Sequence, residues 1–121
     1  MTKDDNIIQS KTRDFAIRTI TLYKNLTEEK KEYILSKQVL RSGTSIGANV
    51  RESKNAQSRA DFLNKINIAL KEADETDYWL DLLHVSKFIT DDEYKSIQKD
   101  ILEIIRILTS IAKKLRLTTE K

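Results

Sequence analysis

Few side chains in this sequence could do chemistry, and each has its own spacing test. The single histidine, His84, follows Asp81 by three residues. A helical bundle that binds two irons needs two Glu-x-x-His pairs on different helices, and one histidine cannot supply them. A Ser-His-Asp site would also have to use His84, and no nucleophile elbow accompanies it. Glu72, Asp74, Glu75, Asp77 and Asp81 crowd one stretch. They could be paired carboxylates for proton transfer, or a solvated helix face. There is no cysteine, so thiol chemistry, disulfides and zinc ribbons are excluded. No catalytic residue, metal ligand, cofactor site or small-molecule substrate emerges, and the expectation is a protein that is not an enzyme.

The basic residues are arranged more tellingly. Between Lys37 and Lys71 lie seven bases (Lys37, Arg41, Arg51, Lys54, Arg59, Lys65, Lys71) against two acids, Glu52 and Asp61. From Glu72 to Asp81 there are five acids and no base, and from Arg106 onward five bases oppose Glu120. Basic patches attract phosphate backbones, although bases spread over helices also serve as ordinary solvated faces. The net charge of +3 does not separate the two.

These groups need elements to position them. The chain has 121 residues, no proline and two glycines, a size that suits one domain. Its 34 % charged and 39 % hydrophobic residues suit amphipathic helices. The glycines fall in Leu40–Val50, where Val39, Gly43, Ile46 and Val50 keep helical spacing. The stretch therefore reads as helix interior rather than loop. A phosphate-cradling loop would need G-x-x-x-x-G-K-[ST], which is absent. Glycine inside a helix costs about 1 kcal/mol relative to alanine, so Gly43 and Gly47 imply close approach of another helix.

Four helices are expected, at about 6–24, 28–54, 59–87 and 91–117, in one domain spanning 1–121. In the first, Ile8, Phe15, Ile20 and Tyr23 mark the apolar face. Thr27 reads as the N-cap of the second, with Glu28 and Glu29 in its first turn. Ser58 with Asp61, and Thr90 with Glu93, read as capping boxes of the third and fourth. The third carries Phe62, Ile66, Ala69, Ala73, Thr76, Leu80 and Leu83. The fourth carries Tyr94, Ile97, Ile101, Ile104, Leu108, Ile111 and Leu115, again in heptad steps. The residues from Thr118 onward are expected to fray.

Short turns imply an all-α, antiparallel, up-down-up-down four-helix bundle. Pairing the middle helices across Asn55–Ser58 sets Gly43 against Ala69, with Gly47 and Ala73 as the other small packing residues. The basic end then gathers Arg41, Arg51, Lys54, Arg59, Lys113, Lys114 and Arg116 as candidates for nucleic-acid binding. Leu63, Leu70, Tyr78, Leu82, Leu102 and Ile105 lie beside the core stripes. They either broaden the core or meet another subunit. No apolar run nears the roughly 20 residues of a membrane span, and Met1–Asn6 lacks a signal core, so the expected location is cytoplasmic.

The run Leu35-Ser36-Lys37-Gln38-Val39-Leu40-Arg41-Ser42-Gly43-Thr44-Ser45-Ile46-Gly47-Ala48-Asn49-Val50-Arg51-Glu52 resembles the signature of four-helix-bundle proteins named for open reading frames inside 23S rRNA intervening sequences. Asp61-Phe62, Ile68 through Ala73, Glu75-Thr76, Tyr78-Trp79-Leu80, Phe15-Ala16-Ile17 and Tyr23-Lys24 fit it as well. The resemblance implies a cyclic homo-oligomer, a pentamer. A related branch, the accessory proteins of diversity-generating retroelements, binds a reverse transcriptase and nucleic acid through a basic surface. By that resemblance the partner is RNA or a nucleic-acid-associated protein; a structural or adaptor protein that binds another protein is the competing expectation. The resemblance brings no catalytic residue.

Overall fold

The computed structural model describes residues 3–119, as four helices: α1 (Lys3–Glu28), α2 (Leu35–Ser53), α3 (Arg59–Val85) and α4 (Asp91–Thr119). Among the described residues there is no strand, and no helix is long and apolar enough to cross a membrane. Glu120 and Lys121, part of the basic C-terminal run expected to fray, lie outside the described residues. Thr118 and Thr119 are helical.

Each helix packs on its sequence neighbours, and α1 closes the square against α4; the backbones of the diagonal helices stay further apart. Side-chain pairs between neighbours run in opposite numerical order. Gly43 and Gly47 meet Thr19 and Thr12 across α1–α2. Arg41 and Glu52 reach Glu75 and Lys65 across α2–α3. His84 reaches Asp91 at the α3–α4 turn, and Lys11 and Arg18 reach Glu103 and Asp100 across α1–α4.

The heptad stripes of α3 and α4 form the core. Ile66, Ala69, Ala73, Leu80, Leu83, Ile97, Ile101, Ile104, Leu108 and Ile111 are all buried. Phe62, Tyr94 and Leu115 pack against them at the edge. The Thr90–Glu93 box is complete: Glu93 N–H donates to Thr90 Oγ1 at 3.1 Å, and Thr90 N–H to Glu93 Oε1 at 2.8 Å. At α3, Asp61 N–H donates to Ser58 Oγ at 3.1 Å, while the Asp61 carboxylate takes the N–H of Gln57.

The α1–α2 connection departs from the sequence expectation. α1 continues through Asn25, Leu26 and Thr27, because Leu26 is a core residue with no exposed surface. Thr27 is no cap; its hydroxyl donates back to the Tyr23 carbonyl at 2.9 Å, the bond of a residue inside a helix. α2 begins seven residues later than expected, and Glu32 does the capping. Its buried carboxylate accepts the N–H groups of Ile34, Leu35 and Ser36 at 2.9–3.0 Å. Three donors with no intrahelical partner are thereby satisfied by one side chain. Lys31, at φ 55°, turns the chain into this cap.

The glycines also pack differently. Gly43 and Gly47 lie inside an unbroken α2, as expected, but they face α1. A Cβ at Gly43 would stand 2.5 Å from Thr19 Cγ2, and one at Gly47 would stand 3.2 Å from the Thr12 carbonyl oxygen. The nearest atoms to the Cβ position at Gly43 all belong to Thr19 of α1, not to Ala69 of α3. Ser42, the preceding residue, accepts a hydrogen bond from Thr76 Oγ1 at 2.8 Å, so α2 is offset along α3 by about six residues from the register inferred across Asn55–Ser58, more than one helical turn. Thr12 and Thr19 are buried core residues of α1, their hydroxyls satisfied by the carbonyls of Ile8 and Ala16 at 2.7 Å. Ile20, assigned to that core by spacing, is 41 % exposed.

Candidate nucleic-acid-binding surface

The basic candidates divide. Arg41 sits midway along α2, bonded to Glu75 Oε1 at 2.5 Å and within 3.5 Å of Glu72 Oε2. It belongs to the acidic stretch of α3 rather than to the basic end. Arg51 and Lys54 line a groove of about 710 Å³ between α1 and α2. Lys54 also borders a second cavity of about 320 Å³, where Arg59 and Lys114 join it beside Asp5, Ser58, Phe62 and Ile111. Lys113 and Arg116 are exposed on the last turns of α4 and line neither space.

The α1–α2 groove exists because of what floors it. Ala16, Gly47 and Ala48 carry almost no side chain, and Thr12 lies flat against Gly47. Asn6, Gln9, Ser10, Thr44 and Arg13 complete the wall. Among the described residues, no acid and no large apolar side chain lines it. Arg13, Arg51 and Lys54 converge on the groove, and among the described residues none of the three has an ion-pair partner. Arg13 was not among the sequence candidates. The signal lies in Thr12, which stands opposite Gly47 once α1 is paired with α2 and brings its neighbour Arg13 to the groove.

The groups weighed for catalysis are dispersed. Glu72 and Glu75 are engaged by Arg41. Asp77 faces α4, where burial pushes its carboxyl above the usual carboxylate range; a hydrogen bond from Gln98 opposes this, and the nearby Asp81 and Asp74 add to it. Its Oδ1 is enclosed without a hydrogen-bond partner among the described residues. His84 stacks on Tyr94, ring centres 4.2 Å apart and nearly parallel, and its Nε2 lies 2.6 Å from Asp91 Oδ1. The His84 ring holds the exposed Asp91 carboxyl below its ordinary range. This contact ties the end of α3 to the start of α4. Among the described residues no group of three or more His, Asp or Glu side chains is placed to hold a metal ion.

The lateral apolar candidates also divide. Leu63, Leu70 and Ile105 pack against the core, and Leu82 is half-buried. Tyr78 and Leu102 are exposed, together with Ile17, Ile20, Tyr33, Ile34, Val85 and Leu117.

Fold and surface together define an all-α four-helix protein with three cations, Arg13, Arg51 and Lys54, lining one groove. The chain belongs to the 23S rRNA-intervening sequence protein family, whose model matches residues 4–110. It is similar to a solved structure, a protein with unknown function from the S23 ribosomal protein family of Bacteroides thetaiotaomicron VPI-5482. The two are 57 % identical with a TM-score of 0.90, over 91 % of this chain and 98 % of that one. No curated protein matches the sequence.

Proposed function

We propose that this chain is a non-enzymatic, cytoplasmic subunit of a cyclic homo-oligomer, and that it binds RNA through the phosphate backbone at its basic end. The opposed numerical order of the side-chain pairs supports an antiparallel, up-down-up-down bundle. The family resemblance supports a pentamer. One observation carries the binding reading: Arg13, Arg51 and Lys54 line a groove that, among the described residues, has no acid, and none of the three has an ion-pair partner there. Unneutralised cations in a polar groove suit phosphates, and phosphate contacts fix position without reading sequence.

The test is fluorescence anisotropy with a structured RNA at two salt concentrations. Affinity falls log-linearly with salt, and each phosphate contact removed lowers the slope by about 1. Arg51→Glu with Lys54→Glu, and separately Arg13→Glu, should each lower it, whereas Arg41→Glu should not. No binding by the wild type at low salt refutes the reading. A second reading, a protein adaptor, is favoured by Tyr33 and Ile34, which stand 53 % and 76 % exposed on the α1–α2 turn. An apolar contact of that kind would be insensitive to salt.

A further inference from the structure

The outer faces of α1 and α3 carry unpartnered stripes of matching pattern. On α1, Arg13, Ile17, Ile20 and Lys24 are all exposed, at steps of four, three and four. On α3, Asp74, Tyr78, Asp81 and Val85 are exposed with the same steps. Ile17 and Ile20 are 47 % and 41 % exposed, and Tyr78 and Val85 are 55 % and 63 %. Such spacing keeps each set on one helix face. The first stripe is apolar between two bases, and the second alternates acid with apolar side chain. α1 and α3 occupy opposite corners of the bundle, their backbones apart, so the stripes look out from opposite flanks.

Their heights agree. Thr19 abuts Gly43, and Ser42 bonds Thr76, which sets Ile20 about level with Thr76 and Tyr78. Lys24, one turn further on, comes level with Leu80 and Asp81. A rotation axis along the bundle preserves height and carries one flank of a subunit onto the other flank of the next. Two different patches joined in this way make a heterologous contact, which closes into a ring when the rotation allows.

We propose that the occupant of the α1 stripe is the α3 stripe of a second copy of this chain, with Ile17 and Ile20 covered by Tyr78 and Lys24 facing Asp81. This rests on the homo-oligomer reading and names the surfaces it uses. It also completes the groove. Thr12 lies against Gly47, which falls along α2 between Arg41, tied to Glu72, and Glu52, tied to Lys65. The exposed Asn67 and Lys71 of the adjoining α3 would therefore stand beside Arg13, so the cation set of the groove is shared between two subunits.

The experiment is light scattering after size exclusion at micromolar concentration, where one chain is 14.1 kDa. Ile20→Glu and Tyr78→Glu each spoil one stripe at a solvent-facing position, and circular dichroism checks that both variants still fold. Each alone should run as a monomer. Mixed in equal amounts they should form a species of two chains and no more, because one intact α1 stripe meets one intact α3 stripe. If a variant fails to fold, Lys24→Asp and Asp81→Lys replace it: each alone should shift the wild-type mass distribution downward, and the two combined in one chain should restore it. Lys71→Glu should lower the RNA salt slope by about 1 in the wild-type background and leave it unchanged in the Ile20→Glu monomer. Variants that keep the wild-type mass, or a mixture that stays monomeric, overturn the stripe pairing while the oligomer stands. A monomeric wild type overturns both. Absence of RNA binding overturns the nucleic-acid reading and the shared groove, and leaves the mass measurements to decide the pairing.

Discussion

Replacing Gly43 by alanine sets two effects of known sign against each other. Alanine is the better helix former by about 1 kcal/mol, so at an indifferent helix site the substitution stabilises. At Gly43 the new Cβ would lie 2.5 Å from Thr19 Cγ2 and 3.1 Å from both Thr19 Cβ and Oγ1. Thr19 has little freedom to retreat. It is fully buried, it is β-branched, and its hydroxyl donates to the Ala16 carbonyl at 2.7 Å. The helices must therefore separate, at an overpacking cost of about 1–3 kcal/mol. The net expectation is a destabilisation of about 1 kcal/mol, or about 4 °C in melting temperature for a domain near this size. Thermal unfolding followed by circular dichroism at one fixed protein concentration measures it, since the proposed assembly would make the midpoint concentration-dependent. Thr19→Ser removes the offending methyl, so Gly43→Ala should cost less in a Thr19→Ser background, with a coupling of 0.5 kcal/mol or more. If Gly43→Ala instead raises the melting temperature by the full propensity gain, close approach is not the reason for this glycine. At Gly47 the nearest contact is 3.2 Å, to the Thr12 backbone oxygen. The two effects are closer to balance there, and Gly47→Ala should shift the midpoint less than Gly43→Ala.

Glu32→Ala strips the cap from α2 and should cost about 2 kcal/mol in urea unfolding. Asp77→Asn should stabilise the fold at neutral pH. The folded-state pKa of Asp77 is raised, so its contribution is favourable at low pH and is lost as pH rises through the folded value; the advantage of asparagine should vanish below about pH 4. Ser42→Ala and Thr76→Val should each cost about 1 kcal/mol, and the double variant less than the sum, because both singles remove the same Thr76–Ser42 hydrogen bond while each remaining hydroxyl keeps its own backbone carbonyl.

The heptad stripes of α3 and α4 were legible because they are almost wholly aliphatic, and their caps because Ser58 and Thr90 use standard side chains in standard positions. The α1–α2 half was harder for a single physical reason: its seam pairs threonine with glycine, Thr19 with Gly43 and Thr12 with Gly47. Thr12 and Thr19 are buried, yet each reads as polar until its hydroxyl is seen to bond a carbonyl of its own helix. Ile20, at core-like spacing, is exposed instead. Thr27 imitated a cap, and Glu32, the group that serves as one, lies ahead of α2 among charged residues that give no periodic signal. Of the candidate surface, Arg51, Lys54, Arg59 and Lys114 were found from charge runs along the sequence. Arg13 escaped because it stands apart from those runs and joins them only across the α1–α2 seam.

The closing seam of the square has a kinetic meaning. α1–α2, α2–α3 and α3–α4 join neighbours in the chain, so their contacts form with small loops and little lost chain entropy. Only α1–α4 joins distant segments, and exposed pairs hold part of it: Lys11 with Glu103, and Arg18 with Asp100 and Ser96. Pairs of that kind contribute little each. A chain whose contacts are this local folds quickly, on the microsecond-to-millisecond scale of helical bundles. The α1–α4 seam closes last and opens first, so amide protons along that edge exchange ahead of those on α2 and α3.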